Sequence, residues 1–244
     1  MPDLLRNAPI DELLEKGEVE LCGQLVNGSN YTFLARVTNQ EQEVIAVYKP
    51  TRGEQPLYDF APGTLARREA AAYILSRALE WDLVPPTVFR RKLPLGAGSL
   101  QLFIRHNPSY HYFNFSAPDR QRLRPVVLFD LIANNADRKG GHLIIDRDNH
   151  LWLIDHGLCF HVEDKLRTVI WDFAGEEIPL DLLDSLRRLL PKLSENGTLS
   201  SQLGSLLRPA EIAAIAVRTR RLLETGCFPL QPVTRRSYPW PLVR

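Results

Sequence analysis

Between Val126 and Phe160 the chain reads VVLFDLIANNADRKGGHLIIDRDNHLWLIDHGLCF, and this stretch constrains the fold more than any other. It opens as an apolar helix, passes through a loop dense in polar residues, and ends in a short hairpin closing on Asp155-His156-Gly157. Asp137 stands in the loop and Asp155 at the end of the second hairpin strand, so a formed hairpin brings two carboxylates distant in sequence to one pocket. Such a pair suits phosphoryl transfer, in which one carboxylate orients a hydroxyl and the other holds a metal on the phosphates.

Upstream, the patterning predicts a sheet with one principal helix. A short amphipathic helix over 11–16 is expected to close at Gly17 through a left-handed cap. Strand-like runs follow at 19–25, 31–37 and 44–48, the first two joined by Asn27-Gly28-Ser29-Asn30. Asn-Gly between extended runs is a hairpin signal because both residues tolerate positive φ. The backbone N–H groups of Gly28, Ser29 and Asn30 have a second reading as an anion-binding concavity. Without a GxGxxG or GxxxxGK[ST] pattern, the turn alone favours the plain hairpin.

In the third run Ile45, Val47 and Lys49 share a face, so Lys49 is either solvated at a strand edge or reaches a phosphate in a cleft. After a Pro- and Gly-containing loop over 50–63, Thr64 is the expected N-cap of a helix over 65–81 with Ala70, Ile74, Ala78 and Trp81 on one side. Glu69 in its first turns reads as a solvated carboxylate favoured by the helix dipole, or as a partner for Lys49. Strands at 87–92 and 99–104 bring the sheet to five. The aromatic segment 105–115 reads as a connector. Ser116 and Asp119 have capping-box spacing, and Leu123, Val127 and Leu131 mark the buried face of the next helix, with Pro125 predicting a kink or a start near Val126. Helices are expected over 180–190 and 209–223, and residues 228–244, rich in Pro and Arg, read as a tail on the surface or partly disordered.

Composition excludes several classes. With 44% hydrophobic and 24% charged residues over 244 positions, disorder and fibre are poor descriptions. The net charge of +1 provides no global field for nucleic acid or an anionic membrane, so no nucleic-acid partner is expected and peripheral membrane contact would need a local patch. Cys22, Cys159 and Cys227, odd in number and far apart, suggest small buried residues in a reducing compartment. No basic-then-apolar leader and no run long enough to cross a bilayer is present, so a cytoplasmic location is expected.

A glycine-turn hairpin, a strand lysine, a helix glutamate, a loop aspartate and a strand-end aspartate follow the order used by protein-kinase-like folds. The sequence resembles the phosphatidylinositol 3/4-kinase superfamily, in particular the type II phosphatidylinositol 4-kinases and, more distantly, HipA-like kinases. Those carry a D-R-x-x-x-N loop followed by an I-D-x-G strand end, matched here by ADRKGGH and LIDHG. NGSNY is similar to the serine-containing phosphate loop of the type II enzymes and SLQLFI to their strand entering the hinge. A small bacterial group described as phosphatidylinositol-kinase-related shares NNADRKGGH and IDHGLCFH, and the resemblance spans about residues 18–180.

The resemblance implies an α+β, bilobal fold, with an antiparallel sheet and one main helix over 1–104 and a mostly helical lobe over 105–244. It implies that Gly28 and Ser29 contact phosphates, that Lys49 holds them with Glu69 fixing the lysine, and that Val47 lines the adenine site beside a hinge at Phe103, Ile104 and Arg105. Asp137 would act on the acceptor hydroxyl, Arg138 and Asn134 would support the loop, and Asp155 would bind the metal. The implied ligands are ATP and Mg²⁺ or Mn²⁺, with an unidentified hydroxyl acceptor on a lipid headgroup, small molecule or protein.

One position departs from the pattern. His142 stands where the family places a metal-binding Asn, and imidazole suits softer metals than Mg²⁺. Either His142 leaves the metal to Asp155 and water, or it joins Asp155 at a site preferring Mn²⁺, or transfer is impaired. A kinase is the leading expectation. The alternatives are a nucleotide-binding pseudokinase, a nucleotidyl-transferring regulator, and a metal-dependent hydrolase built on Asp137, His142, Asp155, His156 and His161.

Overall fold

Alternating apolar residues from Val19 to Tyr48 form three adjacent strands in a computed structural model that describes residues 8–25, 31–40 and 42–243. These are β1 (Glu18–Leu25), β2 (Thr32–Thr38) and β3 (Glu43–Pro50); β4 (Thr87–Arg90) and β5 (Gly98–Leu102) complete an antiparallel sheet in the order β1-β2-β3-β5-β4. The Asn27–Asn30 turn, with Gly28 and Ser29, lies outside the described residues. Strand β3 is central, pairing Val47 with Leu34 on one side and Lys49 with Ser99 on the other.

Helix α1 (Ala8–Lys16) starts three residues before its expected position and buries Leu13 and Leu14 against Ala35, Val37, Ala46, Tyr48 and Leu100. Gly17 does follow it, but Gly17 is absent from the positive-φ glycines, so the left-handed cap expected there is not formed. What requires glycine is close approach: a Cβ would lie 2.6 Å from the Leu13 carbonyl oxygen and 2.8 Å from Val37 Cγ1.

Helix α2 (Leu65–Leu79) is buried nearly all round, because the sheet and the helical part of the molecule pack against it from different sides. The single stripe expected along Ala70, Ile74, Ala78 and Trp81 is therefore too narrow: Leu75 and Leu79 are fully buried while Ile74, Ala78 and Trp81 are half-buried. Thr64 precedes the helix without capping it, since its hydroxyl donates to the Ala61 carbonyl at 2.7 Å. The Glu54 carboxylate takes the capping role, accepting the Ala66 N–H at 3.0 Å.

The larger core gathers α2 with α4 (Arg124–Ala133), α5 (Leu180–Lys192), α6 (Thr198–Leu203), α7 (Pro209–Thr225) and the hairpin of β6 (Leu143–Ile145) and β7 (Leu151–Leu153). Of the two outcomes expected of Pro125, a kink or a helix start near Val126, the second is found: it stands at the start of α4. The short α3 (Ala117–Gln121), capped by Ser116 Oγ accepting the Asp119 N–H, stops before α4 begins, and Pro125 sits in the first turn of α4 where its missing donor is harmless. The buried side of α4 is Val126, Leu128, Phe129, Ile132 and Ala133, with Val127 and Leu131 only half-buried.

Among the cysteines only Cys159 is buried; Cys22 is exposed and Cys227 half-buried, and all three are free. The tail runs over the surface but is pinned: Thr168 N–H donates to Ser237 O at 3.0 Å and Gly140 N–H to Leu242 O at 2.8 Å. No helix among the described residues is long and apolar enough to cross a membrane.

Candidate active site

The apolar face of β3 ends at Lys49, whose stem lies along the sheet and whose ammonium reaches two carboxylates from different parts of the chain. Lys49 Nζ is 2.5 Å from Glu69 Oε1 on α2 and 3.0 Å from Asp155 Oδ1 beyond β7. Glu69 is nearly sequestered, at 3% side-chain exposure, and its second oxygen accepts the His156 N–H at 2.9 Å. The same glutamate thus fixes the lysine and the chain immediately after Asp155. Asp155 has φ +63°, a left-handed conformation that Asp tolerates better than most residues, and its carboxylate is 49% exposed to the cleft.

Asp137 is set by the loop at 134–142. Its N–H donates to Asn135 Oδ1 at 2.9 Å, and its carboxylate meets Lys139 Nζ at 2.8 Å. Arg138, next to it, turns inward and is fully buried. Its guanidinium forms a fork with Asp130 of α4, Nε to Oδ2 and Nη2 to Oδ1 each at 2.9 Å, and also donates to the Ile154 carbonyl at 2.9 Å and to His156 Nε2 at 2.9 Å. The loop is thereby tied to the strand end that carries Asp155. Asn134 anchors the other side, donating to the carbonyls of His161 and Glu163 and accepting the Lys165 N–H.

Because arginine only donates, His156 Nε2 must be an acceptor, which puts the proton of the neutral ring on Nδ1. Burial, with the charges of Arg138 and Lys49, holds the His156 pKa well below its ordinary value. His142 follows the same logic. Its Nδ1 accepts the Lys139 N–H at 3.4 Å, so its proton lies on Nε2, 3.3 Å from Asp155 Oδ2. Burial lowers its pKa to about 3 despite Asp155, so His142 is a neutral donor to Asp155 near pH 7.

The carboxylates are driven apart electrostatically. Lys49 holds Asp155 well below the usual carboxylate range, outweighing burial. Burial raises Asp137 above it, against the pull of Lys139 and with a further push from the negative Asp155. Burial would lower Lys49, but Asp155 and Glu69 more than offset that and leave it above its ordinary value.

Lys49, Glu69, Asp137, His142 and Asp155 all line one cleft of about 360 Å³, lined also by Glu54, Gln55, Pro56 and Leu57. Val47, Phe103 and Ile104 are not on its wall. Val47 lies two residues before Lys49 on β3, Phe103 N–H donates to the Ile45 carbonyl at 2.9 Å, and the Ile104 carbonyl lies 2.9 Å from His106 Nδ1. His161 does not join the cleft either, its ring lying edge-on to Phe60 at 5.5 Å, and among the described residues no group of three His, Cys, Asp or Glu side chains is placed to hold a metal by itself.

Two participants escaped the sequence reading. Lys139 carried no periodic signal inside a loop. Asp130 did carry one: a carboxylate within the apolar run VVLFDLIA needs a buried cation, and Arg138 follows in the loop beyond the helix.

Residues 60–210 match the family described as phosphatidylinositol 3- and 4-kinase. Protein Rv2133c of Mycobacterium tuberculosis is 37% identical over 264 residues, covering 94% of each chain. Phosphatidylinositol 4-kinase gamma 4 of Oryza sativa subsp. japonica is 26% identical over 67% of this chain, which spans only 39% of the plant protein's length. Two solved structures share the fold: hydra Fam20 with sugar, at TM-score 0.57 and 14% identity over 93% of this chain and 90% of that one, and the Golgi casein kinase with Mn/ADP bound, at 0.57 and 15% over 96% and 80%. The fold is therefore the α+β, kinase-like one expected from the order of motifs, and the chain belongs to the phosphatidylinositol 3- and 4-kinase family.

Proposed function

We propose that this protein is an ATP-dependent phosphotransferase that moves a γ-phosphoryl group onto a hydroxyl acceptor, working in a cleft between lobes of residues 1–104 and 105–244. The observation that carries this reading is Lys49, held between Glu69 and Asp155 on the wall of a cleft that Asp137 also lines. On nucleotide binding Lys49 exchanges Asp155 for phosphate oxygens and keeps Glu69 as its anchor. Gly28 and Ser29 would cover the phosphates, and the adenine would extend beyond the cleft wall toward Val47, Phe103 and Ile104, which do not line it.

Asp155 fits a hard cation: its half-exposed carboxylate has one protein partner per oxygen and free lone pairs toward the cleft. Mg²⁺ or Mn²⁺ held there, with the remaining ligands from water and phosphate, would neutralise charge on the transferring group. His142, with its proton on Nε2, serves as a donor that orients Asp155 and not as a ligand. Asp137 accepts the proton of the acceptor hydroxyl as its oxygen bonds to the γ-phosphorus and the bond to the ADP oxygen breaks. Its raised pKa suits proton capture. Lys139, 2.8 Å from Asp137, lends positive charge beside the transferring phosphoryl group. Arg138 acts through the loop as a positioning residue.

The acceptor is defined here only by its hydroxyl. Of the two cations in the segment after Asp155, Lys165 is already engaged by Asp59 at 3.4 Å and Glu163 at 3.3 Å, which leaves Arg167 to meet a phosphoinositide head group there. A second reading, a nucleotide-binding pseudokinase, draws on His142 standing as a hydrogen-bond donor where the family pattern has an oxygen ligand.

A thermal-shift titration with ATP and GTP under Mg²⁺ and Mn²⁺ tests the proposal. Wild type should gain about 2.7 kcal/mol at a nucleotide concentration a hundredfold above Kd. Lys49→Ala and Asp155→Ala should gain nothing, and Asp137→Ala should be stabilised but, unlike wild type, transfer no labelled γ-phosphate from ATP. Absence of stabilisation under every nucleotide and metal pair would remove both readings; binding without turnover in wild type would select the pseudokinase.

A further inference from the structure

Helix α7 is apolar on two sides. Ile212, Ile215, Ala216 and Leu222 face the core, yet Ala210, Ala213, Ala214 and Val217 repeat with helical spacing on another side, and Val217 is 57% exposed. This second side forms one wall of a groove of about 880 Å³ that shares no lining residue with the cleft at Lys49. Leu166 and Trp171 form part of the opposite wall. The volume lies within the range of small-molecule sites.

The charge around this trough is unbalanced. Three arginines line it, Arg218, Arg221 and Arg235, against one carboxylate, Asp164, which Arg235 already holds at 2.8 Å. Arg218 donates only to backbone carbonyls, Nε to Ile132 at 2.8 Å and Nη1 to His161 at 3.2 Å, and its Nη2 is buried without a partner. Burial pulls its pKa down to about 10, outweighing the upward pull of Asp164, whose carboxylate is not in contact with it. The exposed Arg221 side chain has no hydrogen bond or ion pair to any described residue. An apolar trough calls for a hydrocarbon chain, and Arg221 without a partner beside Arg218 without a carboxylate in contact calls for an anion.

We infer that the groove between α7, Leu166 and Trp171 is a binding site for a single-chain anionic amphiphile, its alkyl chain along Ala210 to Val217 and its head group at Arg218 and Arg221. The site is independent of the proposed nucleotide cleft and does not rest on that reading.

Trp171 provides a reporter. Its fluorescence is followed while dodecyl phosphate is added below its critical micelle concentration, with dodecanol and inorganic phosphate as comparators and Trp171→Phe to assign the signal. Wild type should bind dodecyl phosphate saturably at one per chain, about tenfold more tightly than dodecanol, the gain expected of charge-assisted contacts. Arg221→Glu should remove that preference and leave dodecanol binding unchanged. Ala214→Phe, filling the trough, should abolish both; if it fails to fold by circular dichroism, Val217→Asp replaces it on the exposed wall. Equal affinity for dodecanol and dodecyl phosphate, undiminished binding in the folded wall variant, or phosphate alone binding as tightly would each overturn the inference. So would light scattering that finds a dimer from which the probe is excluded, since a second copy would then be the occupant.

Discussion

Arg138 shows how much of a site can depend on a side chain pointing away from it. Its five N–H groups are spread over Asp130, Ile154, His142 and His156, so one residue joins α4, the loop carrying Asp137 and the strand end carrying Asp155. Lysine retains the charge but not the planar fork, and its single ammonium cannot span those acceptors. Arg138→Lys should therefore lower stability by about 3 kcal/mol, within the range found when a buried pair is broken, with a matching fall in the urea midpoint. An unchanged midpoint would mean that the fork is incidental. At this scale the sequence was legible where a residue type carries its own requirement: Lys49, Glu69, Asp137 and Asp155 converge on one cleft from positions chosen on pattern and resemblance. Lys139 was not legible, because a loop lysine shows no preference until the loop is folded.

At the scale of elements, α2 is clamped from both sides. Successive residues face opposite tasks: Glu69 reaches Lys49 and the His156 amide, while Arg68 turns to α7, with Nη2 2.6 Å from Glu211 Oε1 and Nη1 2.6 Å from the Cys159 carbonyl. Movement of α2 relative to α7 would break a buried ion pair, so the clamp keeps Glu69 at the cleft. Burial would raise the Glu211 pKa, but hydrogen bonds from Arg208 and Arg68 outweigh it and leave the carboxyl below its ordinary value of 4.5. Its stabilisation is thus fully present above about pH 4.5 and is lost as pH falls through the lower folded-state value. Glu211→Gln should cost about 3 kcal/mol at pH 7, and the gap from wild type should close below that window. Urea melts at pH 7 and pH 3.5 measure the full gap and its narrowing below pH 4.5; a gap that does not change with pH would remove the ion pair as its source. The helix itself was legible as a periodic run, whereas its cap was not, since Glu54 caps α2 from a loop ten residues away where Thr64 stood nearer in sequence.

Across the whole molecule, local patterning located the strands of the sheet and the longer helices, because each carries its own period. Contacts between distant segments were beyond its reach, and the tail is the clearest case. Its Pro-rich composition argues only against regular structure, yet it returns to the loop at 134–142, where Leu242 O accepts the Gly140 N–H, and to the adjoining segment 164–168, where Ser237 O accepts the Thr168 N–H and Arg235 donates to Leu166 O and Asp164. Phe228, the last residue of the tail in the main core, lies before these contacts, so removing residues from Val233 onward leaves that core intact. The truncation should cost about 4 kcal/mol, on the order of 1 kcal/mol for each of these hydrogen bonds. Its effect should be local: hydrogen–deuterium exchange should accelerate at Gly140 and Thr168, whose amides lose their acceptors, while amides within α4 and α7 keep their protection. If Gly140 exchanged as slowly in the truncated chain as in the full one, the tail would be resting on the loop without holding it. Faster exchange at Gly140 combined with weaker nucleotide stabilisation would make the last dozen residues part of what holds Asp137 in the cleft.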